Sequence, residues 1–415
     1  MSNRTIITNV LVMDADRPEG EIETVVFARG LIESIGDSVD ATGVTETEGT
    51  VIDGTGRTLI PGLIDAHLHA YASEFDGFGI DSSPTSFVAL QASRKLREAL
   101  YRGFTTVRDV AGGDLGLQQA LQRGVVEGPD YLFTGPALSQ TGGHGDGRTP
   151  GVEACAHHHH MGEVVDGADN IRRVVRERLR SGAHAIKVMA SGGVASHADP
   201  LRAPQYSLPE LEAAAEEAER FGSYVTAHAY TADAVQRAVR SGIRCIEHGN
   251  LIDDETIKLM VKQGTALVPT LIAYDAMGRR GEQIGMTEDA RQKNAVVLDK
   301  GREAARKAHD AGVSVGFGSD LMGDLDDEQL AGLRIHVEVL GLAAALRSAT
   351  ATNARILGLT DRGRIGPGLR ADAVLLGGDL RQSPAVLWDP DADRQVYLGG
   401  RLVGVEPVRY QRVGA

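Results

Sequence analysis

The sequence predicts an α/β fold in which a (β/α)8 TIM barrel carries a small β-domain formed by both ends of the chain. The chain has 415 residues, which exceeds one ordinary compact domain but accommodates a barrel of roughly 250 residues and a smaller module. Hydrophobic residues make up 42% and aromatic residues only 4%, so the core must consist mostly of Ala, Val, Leu and Ile. That composition suits alternating helices and buried parallel strands.

The middle of the chain alternates between strand-like and helix-like segments. Helical patterns follow the capping box of Ser207 and Glu210, and they also follow Thr231 and Asp253, with Gly264 ending the last of them. Eight such units favour a TIM barrel over an open doubly wound sheet, and no Gly-x-Gly-x-x-Gly motif follows the first strand. The eight predicted strands span residues 59–65, 104–108, 131–134, 185–189, 224–227, 244–247, 266–269 and 314–318.

Both ends of the chain are rich in short strand patterns separated by polar turns. Strands are predicted at residues 4–13, 24–35 and 49–59, and again at residues 371–376 and 394–399, where Gly-Gly marks a hairpin turn. Because the two ends share this character, we expect them to assemble into one β-domain. The predicted units are residues 1–58 and 362–415 for this β-domain, and residues 59–361 for the barrel.

The composition argues against several classes of protein. The net charge is −14 at pH 7, which would repel a nucleic acid or an anionic membrane, so neither is expected as a partner. The two cysteines, Cys155 and Cys245, form no spaced pattern, which predicts a reducing compartment without disulfides. No stretch approaches about 18 consecutive apolar residues, and the N-terminus lacks the apolar core of a signal peptide. We therefore expect a soluble cytoplasmic enzyme.

Residue types that bind metals recur at the predicted strand ends. The first strand leads into His67 and His69, and residues two apart in a strand point to the same face, so both can reach one ion. The carboxyl ends of barrel strands converge on one mouth, where buried Lys and Asp are rare unless they are paired or bind metal. A structural role is the alternative for each residue, but the whole set predicts a metal centre. The other candidates are Lys187, His228, His248 and Asp320.

The chain resembles the amidohydrolase superfamily over nearly its whole length. The motifs that carry the resemblance are PGLIDAHLH, IKVMASGGV, VTAHAY, IEHG and GFGSD on the predicted strands, and GRIGPGLRADAVLL near the end. Within the superfamily the chain looks most similar to the imidazolonepropionase-related branch, which contains prolidase-like (Xaa-Pro) dipeptidases. The resemblance implies that the β-domain is a β-sandwich, which agrees with the strand patterns at both ends.

The resemblance implies a centre of two divalent metal ions. It assigns His67, His69 and Asp320 to the more buried ion, and it assigns His228 and His248 to the other. Imidazole and carboxylate ligands suit Zn²⁺, and Mn²⁺, Co²⁺ or Fe²⁺ are also compatible.

The resemblance further implies that Lys187 bridges the two ions as a carbamate. An ammonium group has no lone pair for a metal, whereas N-carboxylation supplies two oxygens and a negative charge. A hydroxide bridging the two ions would then attack the substrate carbonyl, and Asp320 would take its proton and pass it to the leaving amine.

Two further residues are expected at the substrate. His144 lies in a glycine-rich loop after the third strand, and the resemblance places it at the substrate, with a simple turn as the alternative. Tyr230 follows the fifth strand, and its phenol either binds a substrate oxygen or is a buried structural tyrosine. We expect His144 and Tyr230 to hold a free carboxylate beside the scissile amide. The histidine run at residues 157–160 is predicted to be a polar loop, with adventitious metal binding as the alternative.

The predicted function is hydrolysis of the amide bond of a dipeptide or an N-acyl amino acid. The alternative is hydrolysis of another C–N substrate, namely a cyclic amide, a carbamate or a ring that is deaminated. Lys187 argues against the imidazolonepropionase reaction itself, because those relatives typically use one metal and lack this lysine. A scaffold without activity is a third alternative, but such relatives usually lose metal ligands, and all six candidates are present here. The resemblance also implies a homo-oligomer.

Overall fold

The computed structural model describes residues 4–36, 49–75, 80, 83–148, 160–196 and 199–404. Cys155 and the first three histidines of the run at residues 157–160 lie outside these ranges, so the structure does not bear on them.

The strands of the described ranges are numbered here in chain order. They are β1 Arg4–Val12, β2 Glu21–Ala28, β3 Leu31–Gly36, β4 Thr50–Asp53, β5 Thr58–Pro61, β6 Leu63–Leu68, β7 Phe104–Asp109, β8 Asp130–Phe133, β9 Ala137–Ser139, β10 Gly162–Val164, β11 Ile186–Met189, β12 Val225–Thr231, β13 Cys245–Leu251, β14 Ala266–Val268, β15 Ala373–Leu376, β16 Arg394–Leu398 and β17 Arg401–Leu402.

The α-helices of the same ranges lie mostly between the later strands. They are α1 Thr85–Tyr101, α2 Leu115–Gln122, α3 Ala168–Arg180, α4 Leu208–Arg220, α5 Ala232–Arg240, α6 Asp254–Gln263, α7 Leu271–Arg280, α8 Glu288–Asp310, α9 Gln329–Leu340, α10 Leu342–Arg347 and α11 Asn353–Ile356, with 3-10 helices at Gly323–Glu328 and Pro384–Leu387 and a π-helix at Ser348–Thr352.

The two ends of the chain share one eight-stranded sheet. Its order is β17-β16-β15-β5-β1-β2-β3, with β4 beside β1. The join between the ends is the antiparallel pair β5 and β15, in which Thr58 faces Leu376 and Pro61 faces Ala373. A buried cluster that includes Ile7, from the first strand, and Leu375 fills one face of this sheet. Both ends of the chain therefore contribute strands to one sheet, while the predicted β-sandwich domain stays a prediction.

The middle of the chain forms two parallel sheets with helices between the strands. One sheet has the order β6-β7-β8, and the other has the order β10-β9-β11-β12-β13-β14. Backbone hydrogen bonds connect the two sheets at one side, where the amide of His184 donates to the carbonyl of Phe133 at 2.8 Å. At the other side, the amide of Leu267 donates to Ser314 at 3.0 Å, and the amide of Ala66 donates to Phe317 at 3.0 Å. The α/β class is therefore confirmed.

Several predicted strands differ from the observed ones. The segment predicted at residues 49–59 contains β4 and, after a turn, the first residues of β5. The segment predicted at residues 59–65 is divided at Gly62 into β5, in the terminal sheet, and β6, in the parallel sheet. A Cβ at Gly62 would lie 2.1 Å from the hydroxyl of Thr105, so only glycine fits at this crossing point. The segment at residues 24–35 is a hairpin, because Arg29 and Gly30 both adopt positive φ, of 52° and 84°.

A further difference concerns the strand predicted at residues 314–318. It forms one isolated bridge, between Val315 and Leu267, and the amide of Gly316 donates to the carbonyl of Leu267 at 2.8 Å, in addition to the backbone hydrogen bonds already given. The segment nevertheless occupies the position between β14 and β6 that the predicted eighth strand requires.

The predicted helix caps are present. Ser207 and Glu210 form the capping box of α4, the hydroxyl of Thr231 accepts from the amide of Ala234, and Gly264 ends α6 with a φ of 67°. Within the described ranges, no helix combines the length and the apolar character that a membrane span requires.

Candidate metal centre and active site

All eight predicted site residues line one cavity of about 180 Å³. The strand assignments explain this, because parallel strands present their carboxyl ends at the same side of the molecule. His228 and His248 occupy the fourth positions of β12 and β13, and Lys187 lies in β11 beside them. The full set that meets at the cavity is His67, His69, His144, Lys187, His228, Tyr230, His248 and Asp320.

The tightest group of candidate ligands is formed by His67, His69 and Asp320. The Nε2 atoms of the two histidines are 3.3 Å apart, and one oxygen of Asp320 lies 3.2 Å from the first and 2.8 Å from the second. A ligand atom of His248 also belongs here, because the ligand atoms of His67, His248 and Asp320 all lie within 4.8 Å of one another. Ring nitrogens and a carboxylate oxygen that converge in this way suit a divalent cation such as Zn²⁺.

Burial keeps two of the imidazoles in the form that binds metals. Burial lowers the pKa of His228 well below its usual value, and the neighbouring His144, His248 and Lys187 lower it further. Burial lowers the pKa of His248 in the same way, although Asp320 opposes this effect. Both rings are therefore neutral at pH 7 and carry the lone pair that a metal requires.

The protonation of His67 and Asp320 is coupled. Burial raises the pKa of Asp320, but His67 and His69 outweigh it and hold the carboxyl ionised, with its pKa well below the usual value. Burial lowers the pKa of His67, but Asp320 and Glu247 outweigh it and raise the pKa above the usual value. These carboxylates therefore favour the charged form of His67, and a metal would compete with that proton.

Hydrogen bonds fix the orientation of two candidate ligand rings, those of His228 and His248. The Nε2–H of His228 donates to the carbonyl of Gly192 at 3.1 Å, which leaves Nδ1 free for a metal. The Nδ1 atom of His248 contacts the hydroxyls of Thr270 and Tyr274, at 2.8 Å and 2.7 Å, which leaves Nε2 free. Such partners set the tautomer and the direction of a metal-binding imidazole.

The backbone at the site is strained. His248, Thr270 and Asp320 adopt positive φ, of 77°, 47° and 53°, although none of them is glycine. Positive φ is uncommon in residues with a Cβ and is concentrated at functional sites. The amide of Asp320 donates to the carbonyl of His67 at 2.7 Å, so this conformation also holds the two ligand residues together.

His144 packs between Gly193 and the imidazole of the candidate ligand His228. Its imidazole stacks on that of His228 with ring centroids 4.3 Å apart, and a Cβ at Gly193 would lie 2.0 Å from its Cε1. The loop after β11 therefore needs glycine to accommodate this ring. Burial lowers the pKa of His144, although the carboxylate of Asp199 opposes this effect.

Tyr230 and Arg148 complete the polar part of the cavity wall. Tyr230 is buried, and its hydroxyl lies 2.9 Å from that of Tyr274, so the substrate-binding and structural interpretations are compatible for this residue. Arg148, from the glycine-rich loop, lines the cavity and forms two hydrogen bonds with Asp146, at 2.7 Å and 2.6 Å.

The sequence interpretation missed two buried residues that contact the candidate ligand His67, namely Asp65 and Glu247, and a third, Arg108, that acts through Glu247. Asp65 accepts from the amides of His67 and Ser319, at 3.0 Å and 3.1 Å, and so ties the first strand to the segment before Asp320. Glu247 accepts from Nδ1 of His67 at 2.6 Å and is paired with Arg108. All three are charged residues inside apolar strands, which is the signal that could have identified them, because such residues are rarely buried without a partner.

The chain belongs to the amidohydrolase family, whose profile matches residues 58–403. A related protein, the ochratoxinase of Aspergillus niger, is 32% identical over 370 residues, which cover 83% of this chain and 75% of the relative. The crystal structure of a prolidase complexed with N-methylphosphonate-L-proline has a TM-score of 0.91 and 41% identity, and the match covers 97% of this chain and 99% of that one.

A Xaa-Pro dipeptidase crystallised with methionine in its active site has a TM-score of 0.86 and 28% identity, and the match covers 96% of this chain and 99% of that one. The predicted resemblance to an amidohydrolase superfamily with prolidase-like members is confirmed. The chain is a hydrolase that acts on C–N amide bonds.

The packing of His144 against Gly193 predicts the effect of Gly193→Ala. The added methyl group must displace the ring, and misplacing an active-site group by about 1 Å costs up to about 10²-fold in rate. We expect kcat/KM for the hydrolysed substrate to fall roughly ten- to a hundred-fold. The control is Gly366→Ala, where the new methyl group would meet only Leu369 at 3.6 Å. Equal activity of the two variants would show that the position of His144 is unimportant.

Proposed function

We propose that the chain is a binuclear metal-dependent amidohydrolase that cleaves the amide bond of a dipeptide or an N-acyl amino acid. The observation that carries this proposal is the meeting of all six candidate ligands at one cavity. The parallel strands would form a (β/α)8 barrel, with residues 314–318 as its eighth strand, as their hydrogen bonds to both neighbouring strands support.

The donor set of the cavity fits two divalent ions. His67, His69 and Asp320 would hold one ion, and His228 and His248 would hold the other. Zn²⁺ suits these imidazole and carboxylate ligands, and Mn²⁺, Co²⁺ or Fe²⁺ would also be accepted. When bound, the ions would lower the pKa of a water molecule and polarise the scissile carbonyl.

Lys187 would bridge the two ions as a carbamate. Its side chain is almost fully buried, and burial lowers its pKa to about 8, although Glu247 and Asp320 oppose this effect. A neutral amine is therefore accessible near pH 7, and only the neutral amine reacts with carbon dioxide. N-carboxylation would replace a positive charge with a negative one beside four histidines.

The rest of the cavity supports a substrate with apolar side chains. Methionine is flexible and polarisable, so a wall rich in methionine adapts to side chains of different shape. The chain has 8 methionines, and the four that line the cavity are Met161, Met189, Met277 and Met322. The relatives named prolidase and Xaa-Pro dipeptidase support a dipeptide as the substrate class.

His144 and Tyr230 would hold a free carboxylate beside the scissile amide. Both line the cavity, and an imidazole and a phenol can each donate a hydrogen bond to a carboxylate. Asp320 would accept the proton of the attacking water and return it to the leaving amine, a role for which its ionised state is suited.

Three further expectations remain predictions. They are the domain boundaries at residues 58 and 361, a homo-oligomeric active form and a cytoplasmic location.

The proposed centre predicts the metal content of the protein. Protein produced with Zn²⁺ or Mn²⁺ and bicarbonate should contain about two ions per chain, because six ligands exceed the needs of one tetrahedral ion. Elemental analysis measures this ratio. A ratio fixed at one, together with a crystal structure in which Lys187 is remote from the metal, would contradict the bridging carbamate.

The proposed role of Asp320 predicts that Asp320→Asn preserves the shape of the site but removes the proton acceptor. We expect kcat to fall by at least about 10²-fold, the usual scale for the loss of a general base. Steady-state kinetics on protein with verified metal content measures this effect. Turnover close to that of the wild type would refute the assignment.

The proposed carboxylate contact predicts weaker catalysis by His144→Ala and Tyr230→Phe. The loss of a charge-assisted hydrogen bond costs about 1.5–3 kcal/mol, so kcat/KM on a dipeptide should fall roughly ten- to a hundred-fold.

The control for this prediction is the same dipeptide with an amidated C-terminus. The wild type should lose activity on it, and the two variants should lose little more. Equal activity of the wild type on the acid and on the amide would reject the carboxylate contact and favour a cyclic amide or a carbamate as the substrate.

A further inference from the structure

A fully buried ion pair lies next to the ligand residue His67. Arg108, in β7, and Glu247, in β13, both have side chains with 0% exposure, and Nη2 of the arginine donates to Oε1 of the glutamate at 2.6 Å. Neither residue is among the described residues that line the cavity, so their charges are not placed to contact a substrate. We refer to these two residues as the buried pair.

The buried pair contacts the ring of His67 and the backbone just before it. Oε2 of Glu247 accepts a hydrogen bond from Nδ1 of the imidazole at 2.6 Å. Nε of Arg108 donates to the carbonyl of Ala66, the residue just before His67, at 2.7 Å. One contact therefore fixes the ring of His67, and the other fixes the backbone that carries it.

Stability alone does not explain the presence of the buried pair. Two buried charges lose their hydration. Replacing such a pair with apolar residues of similar volume often leaves the stability of the folded protein unchanged or raises it. Further buried polar groups complete the hydrogen bonds of the pair. Thr226 donates to Glu247, and Arg108 donates to the hydroxyl of Tyr224 at 3.0 Å. The result is a carboxylate on whose two oxygens three N–H and O–H donors converge, and the thiol of Cys245 lies 3.5 Å from Oε1 as a weaker donor.

We infer that Arg108 and Glu247 are positioning residues for the metal centre. They hold Nδ1 of His67 protonated and direct Nε2, the atom 3.2 Å from Asp320, toward the bound ion. Arg108 acts through Glu247, because its planar fork keeps the carboxylate in the position that the imidazole needs. The inference rests on the proposed metal centre, which is tested separately by the metal content of the wild type.

The first test is the Zn²⁺ affinity of Glu247→Gln, measured by competition between the purified holoenzyme and a chelator of known affinity. A carboxamide offers one acceptor oxygen where three donors converge, so the contact with His67 or with Arg108 must be lost. We expect the affinity for the ion held by His67 to fall by roughly 10–100-fold, the usual effect of losing such a partner.

The matched control is Glu217→Gln, the same substitution at another buried carboxylate. Glu217 accepts from Arg176, at 2.8 Å and 2.9 Å, between helices α4 and α3, and neither residue lines the cavity in the described part of the chain. The Zn²⁺ affinity of the Glu217→Gln variant should equal that of the wild type. An equal loss of affinity in this control would overturn the inference, because the effect would then be a general loss of stability.

The second test separates positioning from folding. Arg108→Met combined with Glu247→Leu removes both charges, so that no unpaired charge remains buried, and the metal-free Tm should stay close to that of the wild type. The Zn²⁺ affinity should still be reduced roughly 10–100-fold, because His67 has lost its acceptor.

Wild-type affinity in this double variant would overturn the inference. Wild-type protein that binds no Zn²⁺ would instead refute the proposed metal centre, so the two failures can be told apart.

Discussion

The interior of this protein holds charged groups and imidazoles where water is scarce, and the protonation of the site depends on this constraint. A charge in such a place must be paired, neutralised or bound to an ion. Asp320 is ionised because two imidazoles face it, whereas His228 and His248 are neutral because burial disfavours their charged forms. The protonation states that suit metal binding are therefore set by the fold.

The backbone at the site is also unusual. His248, Thr270 and Asp320 each pay a conformational cost of order 1–3 kcal/mol for their positive φ. The surrounding hydrogen bonds compensate it, among them the one from the amide of Asp320 to the carbonyl of His67. Candidate ligands whose backbone is held in this way would lose little conformational entropy when an ion binds.

The sequence predicts those parts of the molecule that depend on local patterns. The caps of α4, α5 and α6 are examples, and so is the convergence of His67, His228 and other candidates, because each follows from its place relative to one strand.

The parts that the sequence does not predict depend on contacts between distant segments. Residue 62 must be glycine because Thr105 approaches it, and residue 193 must be glycine because the ring of His144 packs against it. Glu247 and Arg108 lie about 140 positions apart in the chain, so their pairing is visible only once β7 and β13 are in place.

The pairing of β5 with β15 has a consequence for biosynthesis. The two strands are separated by more than 300 residues, and translation proceeds at about 5–20 residues per second, so β5 waits on the order of 15–60 s for its neighbour. Throughout that interval the edge of β5 that β15 will cover offers unpaired backbone groups to any strand nearby. The ribosome must therefore deliver almost the entire hydrolase before this edge of β5 can be covered.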